Sequence, residues 1–368
     1  MRAWLLVASI GLLAAACAPG AAPAAQPAPA PPAAQAAAPG SAAGQTAPGS
    51  PAAPAAPPAV PARPIERIKV SFAADTAVYA PFFIAVEKGY LAEEGLEVEP
   101  VQAGGGAATP ALISGDLHYS TSAATSVSAI MKGAPLKVIF TNADRSLDEL
   151  WSASPEIASV ADLVGKTIGI QSRGDTMEIE TRLVLTQRGV DPNAVGYTAV
   201  GVGSQRVAAL QAGAVAAAII TPAEAAEARE LLPQGRPLAN VREEIRMLYM
   251  GLATTDTELQ QHRDRAKRYL RAVMKGREYF KAYHDETLDI LGKYNQAPRH
   301  ANEVDYDLTL PALTEDGSIA PEVQRRDTAV RAEINGLDQY PAPEQIYDYS
   351  LVREVYGELR ASGWQPTR

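Results

Sequence analysis

Cysteine is nearly absent. The 368-residue chain contains one, Cys17, so no intrachain disulfide can staple the fold, even in an oxidising compartment. Long apolar runs are missing too. The stretch from Ala3 to Leu13 falls short of the roughly 20 residues that cross a bilayer, and no later apolar stretch reaches that length. Basic charge is in deficit, with Lys+Arg 33 against Asp+Glu 42 and a net charge of −9. No basic run with interleaved aromatics appears, which speaks against a nucleic-acid partner. Histidine is scarce and scattered, at His118, His262, His284 and His300. None has a cysteine partner or metal-ligand spacing, and no Gly-x-Ser-x-Gly elbow is present. His284-Asp285-Glu286 reads as a solvated helical face. Gly201-x-Gly203 has Arg206 where the dinucleotide fingerprint needs its third glycine. The chain is therefore expected to carry no catalytic residue, no metal and no cofactor.

What is present first is a secretory signal. Arg2 gives a short positive region, Ala3 to Leu13 an apolar core, and Ala14 to Ala16 small residues that suit a signal peptidase. Residues 1–16 are read as this signal. From Ala18 to Pro64 the chain is almost all Ala and Pro. Such a run has almost no large apolar side chains to offset the entropy of ordering. Its prolines favour extended geometry, and at ~3.1 Å per residue it reaches up to about 150 Å. Residues 17–64 are thus expected to form a disordered tether. The folded body that follows has about 300 residues, enough for two lobes. Arg2 and Arg63 are the only charges before Ile65, so the body is more acidic than the whole chain.

In the body, strand and helix patterns alternate, which indicates an α/β sheet. Residues 67–73 alternate polar and apolar as a strand does. A helix is predicted over 81–88, with Pro81 in its first turn and Gly89 past its end. Strands follow over 96–101, 117–119 and 136–141, separated by helices over 109–114 and 122–132. A second unit repeats the pattern: strands over 166–170, 195–200 and 215–220, helices over 174–186, 204–212 and 223–232. Ala111-Leu112-Ile113-Ser114-Gly115 in the first unit echoes Ala209-Leu210-Gln211-Ala212-Gly213 in the second. Each reads as a helix end followed by a glycine able to take the left-handed conformation. A long helical pattern covers 258–294, a looser stretch 304–320, and a last helix 343–361. Residues 65–145 and 250–368 are expected to form a discontinuous first lobe, and 146–249 the second.

Two resemblances sharpen this reading. Leu12-Leu13-Ala14-Ala15-Ala16-Cys17 resembles the lipobox of bacterial lipoproteins. That resemblance implies cleavage before Cys17, a diacylglyceryl group on its sulfur, and an extracytoplasmic, lipid-anchored body. The segment Tyr79-Ala80-Pro81-Phe82-Phe83-Ile84-Ala85-Val86-Glu87-Lys88-Gly89-Tyr90-Leu91-Ala92-Glu93-Glu94-Gly95-Leu96 resembles the start of the SsuA/THI5-like (NMT1) substrate-binding proteins. Gly133-Ala134-Pro135, 162–169 and 209–213 extend the likeness over 68–283. It implies a type II periplasmic-binding-protein fold, two α/β lobes joined by a two-strand hinge. It further implies a monomer that closes over a small organic solute and passes it to an ABC permease and its ATPase. The solute is of the sulfonate, nitrate or taurine kind, or a pyrimidine or thiamine precursor. The alternatives are a pyrimidine-precursor enzyme of the THI5 type and a sensor module for a signalling partner. The enzymes rely on a cysteine-rich motif, which a body without cysteine lacks.

Ligands of open α/β sheets sit at the carboxyl ends of strands, where helices begin. After the first strand this singles out Asp75, Thr76 and Tyr79, although Asp75 or Thr76 serves equally as a helix cap. Gly105 and Gly106 allow close backbone approach or form a flexible loop. Ser122, Ala123 and Thr125 start a helix, and Asn142 follows a strand near the hinge. In the second lobe the turn Arg173, Gly174, Asp175, Thr176 suits an anion, with Arg173 either its charge or a solvated residue. Ser204 and Thr221 begin later helices. Asp75 and Tyr79 favour a planar, partly cationic ligand, whereas Arg173 favours an anion.

Overall fold

The computed structural model describes residues 64–201 and 203–368. The expected signal segment, Cys17 and the Ala/Pro run through residue 63 lie outside the described residues. Two five-stranded sheets organise the rest. The first has the order β2-β1-β3-β10-β4, with β1 Glu66–Phe72, β2 Leu96–Gln102, β3 Tyr119–Ser120, β4 Leu136–Ala143 and β10 Met250–Thr255. The second has the order β7-β6-β8-β5-β9, with β5 Glu149–Ser152, β6 Thr167–Ile170, β7 Gly196–Ala199, β8 Ala217–Ile220 and β9 Arg236–Asn240.

Each sheet has a parallel half built by strand–helix–strand units, β1 with β2 and β3, and β6 with β7 and β8. Each also contains the strand that directly follows a crossing from the other lobe, and that strand runs antiparallel. β10 pairs with β3 and β4, and β5 with β8 and β9. The chain therefore crosses between lobes twice, through residues 144–148 and 241–249. This is the two-lobed α/β architecture of type II periplasmic binding proteins.

The local reasons are ordinary ones. In β1, Ile68 and Val70 are fully buried while Arg67 and Lys69 are exposed, so the pleat sorts apolar from charged residues. Gly115 (φ 85°) and Gly213 (φ 65°) close the echoed helices in the left-handed conformation, which costs a residue with Cβ more than glycine.

The long helical pattern after β10 breaks into three helices, Asp256–Gln261, Arg263–Ala282 and His284–Asn295, interrupted at His262 and Tyr283. The middle one lies on the helix Ala80–Glu87 of the first lobe. Gly276 makes that approach possible, because a Cβ there would run into the Pro81 carbonyl oxygen. A further helix, Pro321–Ile334, touches both lobes. It packs on the helix Ala123–Met131 of the first and on Thr176–Gln187 of the second. Val330 and Ile334 join the second lobe's core. Arg331 donates to the carbonyls of Ala124 and Leu248.

Candidate functional site

Strand ends and helix starts converge where the lobes face each other. The loop after β1 brings Thr76, Val78 and Tyr79. Gly105 opens the helix Gly105–Ser114 after β2, and Ser122 and Thr125 sit at the start of Ala123–Met131 after β3. From the second lobe come Gln171, Asp175 and Thr176 after β6, and Thr221 after β8. Asp148 and Tyr249 arrive from the two connections. Together they line a cleft of ≈ 530 Å³. That falls within the range of about 300–1,000 Å³ common for small-ligand sites.

Eight of the candidate residues lie in its wall: Thr76, Tyr79, Gly105, Ser122, Thr125, Asp175, Thr176 and Thr221. Neither Asp75 nor Thr76 caps a helix with its side chain; the Ala77 N–H is instead capped from afar by Asp305 Oδ2 at 2.6 Å. Gly105 packs against Thr125 so closely that a Cβ would collide with the threonine side chain. Asp175 caps the helix Thr176–Gln187 by accepting from the Glu178 N–H. Thr221 and Glu224 cap each other's ends at the helix Pro222–Leu231.

The other candidates lie elsewhere. Asp75 faces an apolar hollow with Phe72, Phe83 and Tyr294. Gly106 has open space where its Cβ would be and does not line the cleft. Ala123 is fully buried. Asn142, also fully buried, donates to the Val78 carbonyl at 2.8 Å. It braces a cleft-lining loop within its own lobe, neither touching the cleft nor bridging the lobes. Arg173 points outward, pairing with Glu178 at 3.3 Å and lying over the Tyr197 ring. Gly174 takes the left-handed conformation (φ 76°) and donates to Glu178, which turns Arg173 away from the cleft. Ser204 is exposed at the start of Gln205–Gln211.

Asp148, Gln171, Met177 and Tyr249 were not anticipated. The strand-end rule covers Gln171, which directly follows β6. Asp148 and Tyr249 carry no local signal, because they matter only once β5 and β10 are known to cross between lobes.

The tyrosines stay neutral phenols. Burial, eased by a hydrogen bond with Thr121 and aided by Asp75, pushes Tyr79 up to about 12. Burial and the nearby Asp148 and Glu180 carboxyls push Tyr249 well above its ordinary value. Among the described residues no group of three or more His, Cys, Asp and Glu side chains is placed to hold a metal ion. No helix of the described residues is long and apolar enough to cross a membrane.

Comparison with known proteins agrees with this architecture. A family model described as NMT1/THI5 like matches residues 76–287. No curated protein matches the chain in sequence. Solved structures of similar fold include a putative sulfonate ABC transporter, periplasmic sulfonate-binding protein SsuA from Methylobacillus flagellatus KT. It is 16% identical with a TM-score of 0.65, over 82% of this chain and 98% of that one. The periplasmic aliphatic sulphonate binding protein SsuA from Escherichia coli is 16% identical with a TM-score of 0.63, over 82% and 93%. The desulfurization enzyme DSZB is 12% identical with a TM-score of 0.56, over 80% and 99%. At such identities the likeness to these structures is one of fold. The family match is a sequence match over more than half of the chain, and by it this protein belongs to the NMT1/THI5-like family.

Proposed function

We propose that this protein is the extracytoplasmic solute-binding component of an ABC importer. It captures a small organic solute by closing its two lobes and delivers it to a permease. The observation that carries this reading is the cleft itself: polar groups from both lobes and from both connections face one cavity of small-ligand size. Two such connections allow rigid-body closure with strain confined to a few residues. No histidine, lysine or cysteine lines the cleft among the described residues, so its hydroxyls lack the usual partners of covalent catalysis. The sulfonate-binding proteins of similar fold support transport as the setting.

In this reading the Ala/Pro run is a tether and Cys17 its lipid attachment, leaving the body free outside the cytoplasm. The Cys17→Ser variant is then expected to leave the membrane fraction while keeping solute binding. A variant that still sediments with membranes would remove the anchor.

The receptor reading is tested with the full chain and a solute panel of alkanesulfonates, aminosulfonates, nitrate, pyrimidines and amino acids. A ligand at 100 times its Kd stabilises by about 2.7 kcal/mol. The expected result is a melting temperature several degrees higher with at least one solute, and a smaller radius of gyration by X-ray scattering. An unchanged melting temperature across the panel, or turnover of a member, counts against it.

A further inference from the structure

The cleft wall carries two carboxyls, Asp148 and Asp175, and no lysine, arginine or histidine among the described residues. The two carboxyls are not equivalent. Asp175 is engaged by its own helix start: Oδ1 accepts the Glu178 N–H at 3.0 Å and Oδ2 the Ser172 N–H at 2.9 Å. Asp148 is 2% exposed, and its Oδ1 has no hydrogen-bond partner. Behind it lies Glu180, fully buried, both of whose oxygens lack a donor. Two carboxyls in contact can share one proton, but the pair then still carries one negative charge. Arg206 is near enough to pull on Asp148 but makes no hydrogen bond to it: its terminal nitrogens go to Glu224 and the Gly201 carbonyl, and its buried Nε is unpaired; Arg182 bonds Glu178. A buried carboxyl without a donor is costly, and here it faces a cavity open to solute.

The opposite wall has the complementary preference. The helices Gly105–Ser114 and Ala123–Met131 begin at Gly104 and Ser122 without any side-chain cap. Their first N–H groups, with the Ser122 and Thr125 hydroxyls, seek acceptors. In the second lobe the equivalent positions are filled by the chain's own Asp175, Glu178 and Glu224. Across its width the cleft therefore runs from donors on the first lobe to an acceptor at the hinge.

Building on the solute-binding reading above, we propose that this cleft selects a small dipolar solute, with an ammonium or amidinium nitrogen seated on Asp148 and a carboxylate, sulfonate or carbonyl group at the starts of Gly105–Ser114 and Ala123–Met131. Asp148 is the charge-recognising residue and Glu180 its positioning partner. Tyr79 and Tyr249 flank the nitrogen as neutral rings. A solute that is an anion alone meets Asp148 unpaired and is rejected.

Isothermal titration of the full chain at pH 8 with matched pairs tests this. The pairs are 2-aminoethanesulfonate against ethanesulfonate, and β-alanine against propionate. At least one nitrogen-bearing member is expected to bind about 100-fold more tightly than its partner, as removal of one side of a buried charge pair does. Asp148→Asn should abolish that difference, whereas Arg173→Ala, outside the cleft, should leave it intact. Equal binding within every pair, or full affinity in Asp148→Asn, overturns the dipolar class. If ethanesulfonate or propionate binds as well as its partner, the receptor reading survives that failure. If no pair member binds, the dipolar class falls, and the receptor reading falls with it only when the wider solute panel also leaves the melting temperature unchanged.

Discussion

Replacing Arg331 with methionine is expected to lower the melting temperature by about 10 °C. Arg331 is 1% exposed and makes four hydrogen bonds. Two go to Asp327, which has no exposed side-chain surface. The others reach the carbonyls of Ala124 and Leu248 at 2.6 and 3.4 Å. Methionine fills similar volume but leaves Asp327 with only the Tyr347 hydroxyl as donor, at 2.8 Å. Breaking a buried pair from one side costs about 3–5 kcal/mol, and each kcal/mol moves the midpoint of a domain this large by roughly 2–4 °C. The double variant Arg331→Met/Asp327→Leu removes the orphaned charge and should recover most of the loss. Calorimetry of the three proteins decides it: a double variant no more stable than the single one would mean that the ion pair is not the source. The consequence extends to binding. Ala124 lines the cleft and Leu248 adjoins Tyr249, so Arg331 clamps the first lobe to the returning connection from outside the site.

The parts of this fold legible in the sequence are those with local causes. The helix Ala80–Glu87 announces itself by Pro81 and Gly89, and the paired helix ends by Gly115 and Gly213, because proline and glycine act on their own backbone. β5 and β10 were not legible. Glu149–Ser152 is four residues long, and its pairing with β8 and β9 depends on partners some 70–90 residues away in the chain. Met250–Thr255 pairs with β4, more than 100 residues earlier. The two crossings near 145 and 250 follow from the lobe pattern, but without these strands nothing in the sequence places Asp148 and Tyr249 at the cleft. Misplacements at the site have the same physical origin. Spacing from a strand end marks a turn such as 172–176, but not which way each side chain leaves it. Gly174 at positive φ accompanies an outward Arg173 paired with Glu178, and Asp75, its backbone carbonyl held by Asn295, lies on the far side of its loop from the cleft. Asn142 shows that a polar residue at a strand end can spend its amide N–H on a neighbouring carbonyl instead of a ligand.

The second large effect is a gain. Asp148→Asn is expected to match the parent protein in stability at pH 4 and to exceed it by on the order of 3 kcal/mol at pH 8. Burial is the main cause. It pushes the Asp148 carboxyl from 3.8 up to about 7, with the adjoining Glu180 carboxyl and Arg206 pulling it down and Glu224 and Asp175 adding repulsion. Tyr249, from the other connection, lies near enough to the same carboxyl for its charge to hold the phenol neutral. The folded protein therefore keeps a proton that the unfolded chain releases near pH 4. Through this group the parent loses stability as pH rises from about 4 to 7, because the native state binds more protons across this window, and the adjoining Glu180, also pushed well above its ordinary value by burial and by Asp148, adds to the loss. Asparagine never ionises and escapes the penalty, while keeping a group of the same shape beside Glu180. Urea unfolding at the two pH values measures the difference. A variant that is less stable at pH 8 than the parent would make Asp148 a supporting residue of the hinge. A variant that is more stable yet unable to bind a cationic solute shows the opposite: the carboxyl is held in place against the fold's own preference, and a bound nitrogen is what relieves it.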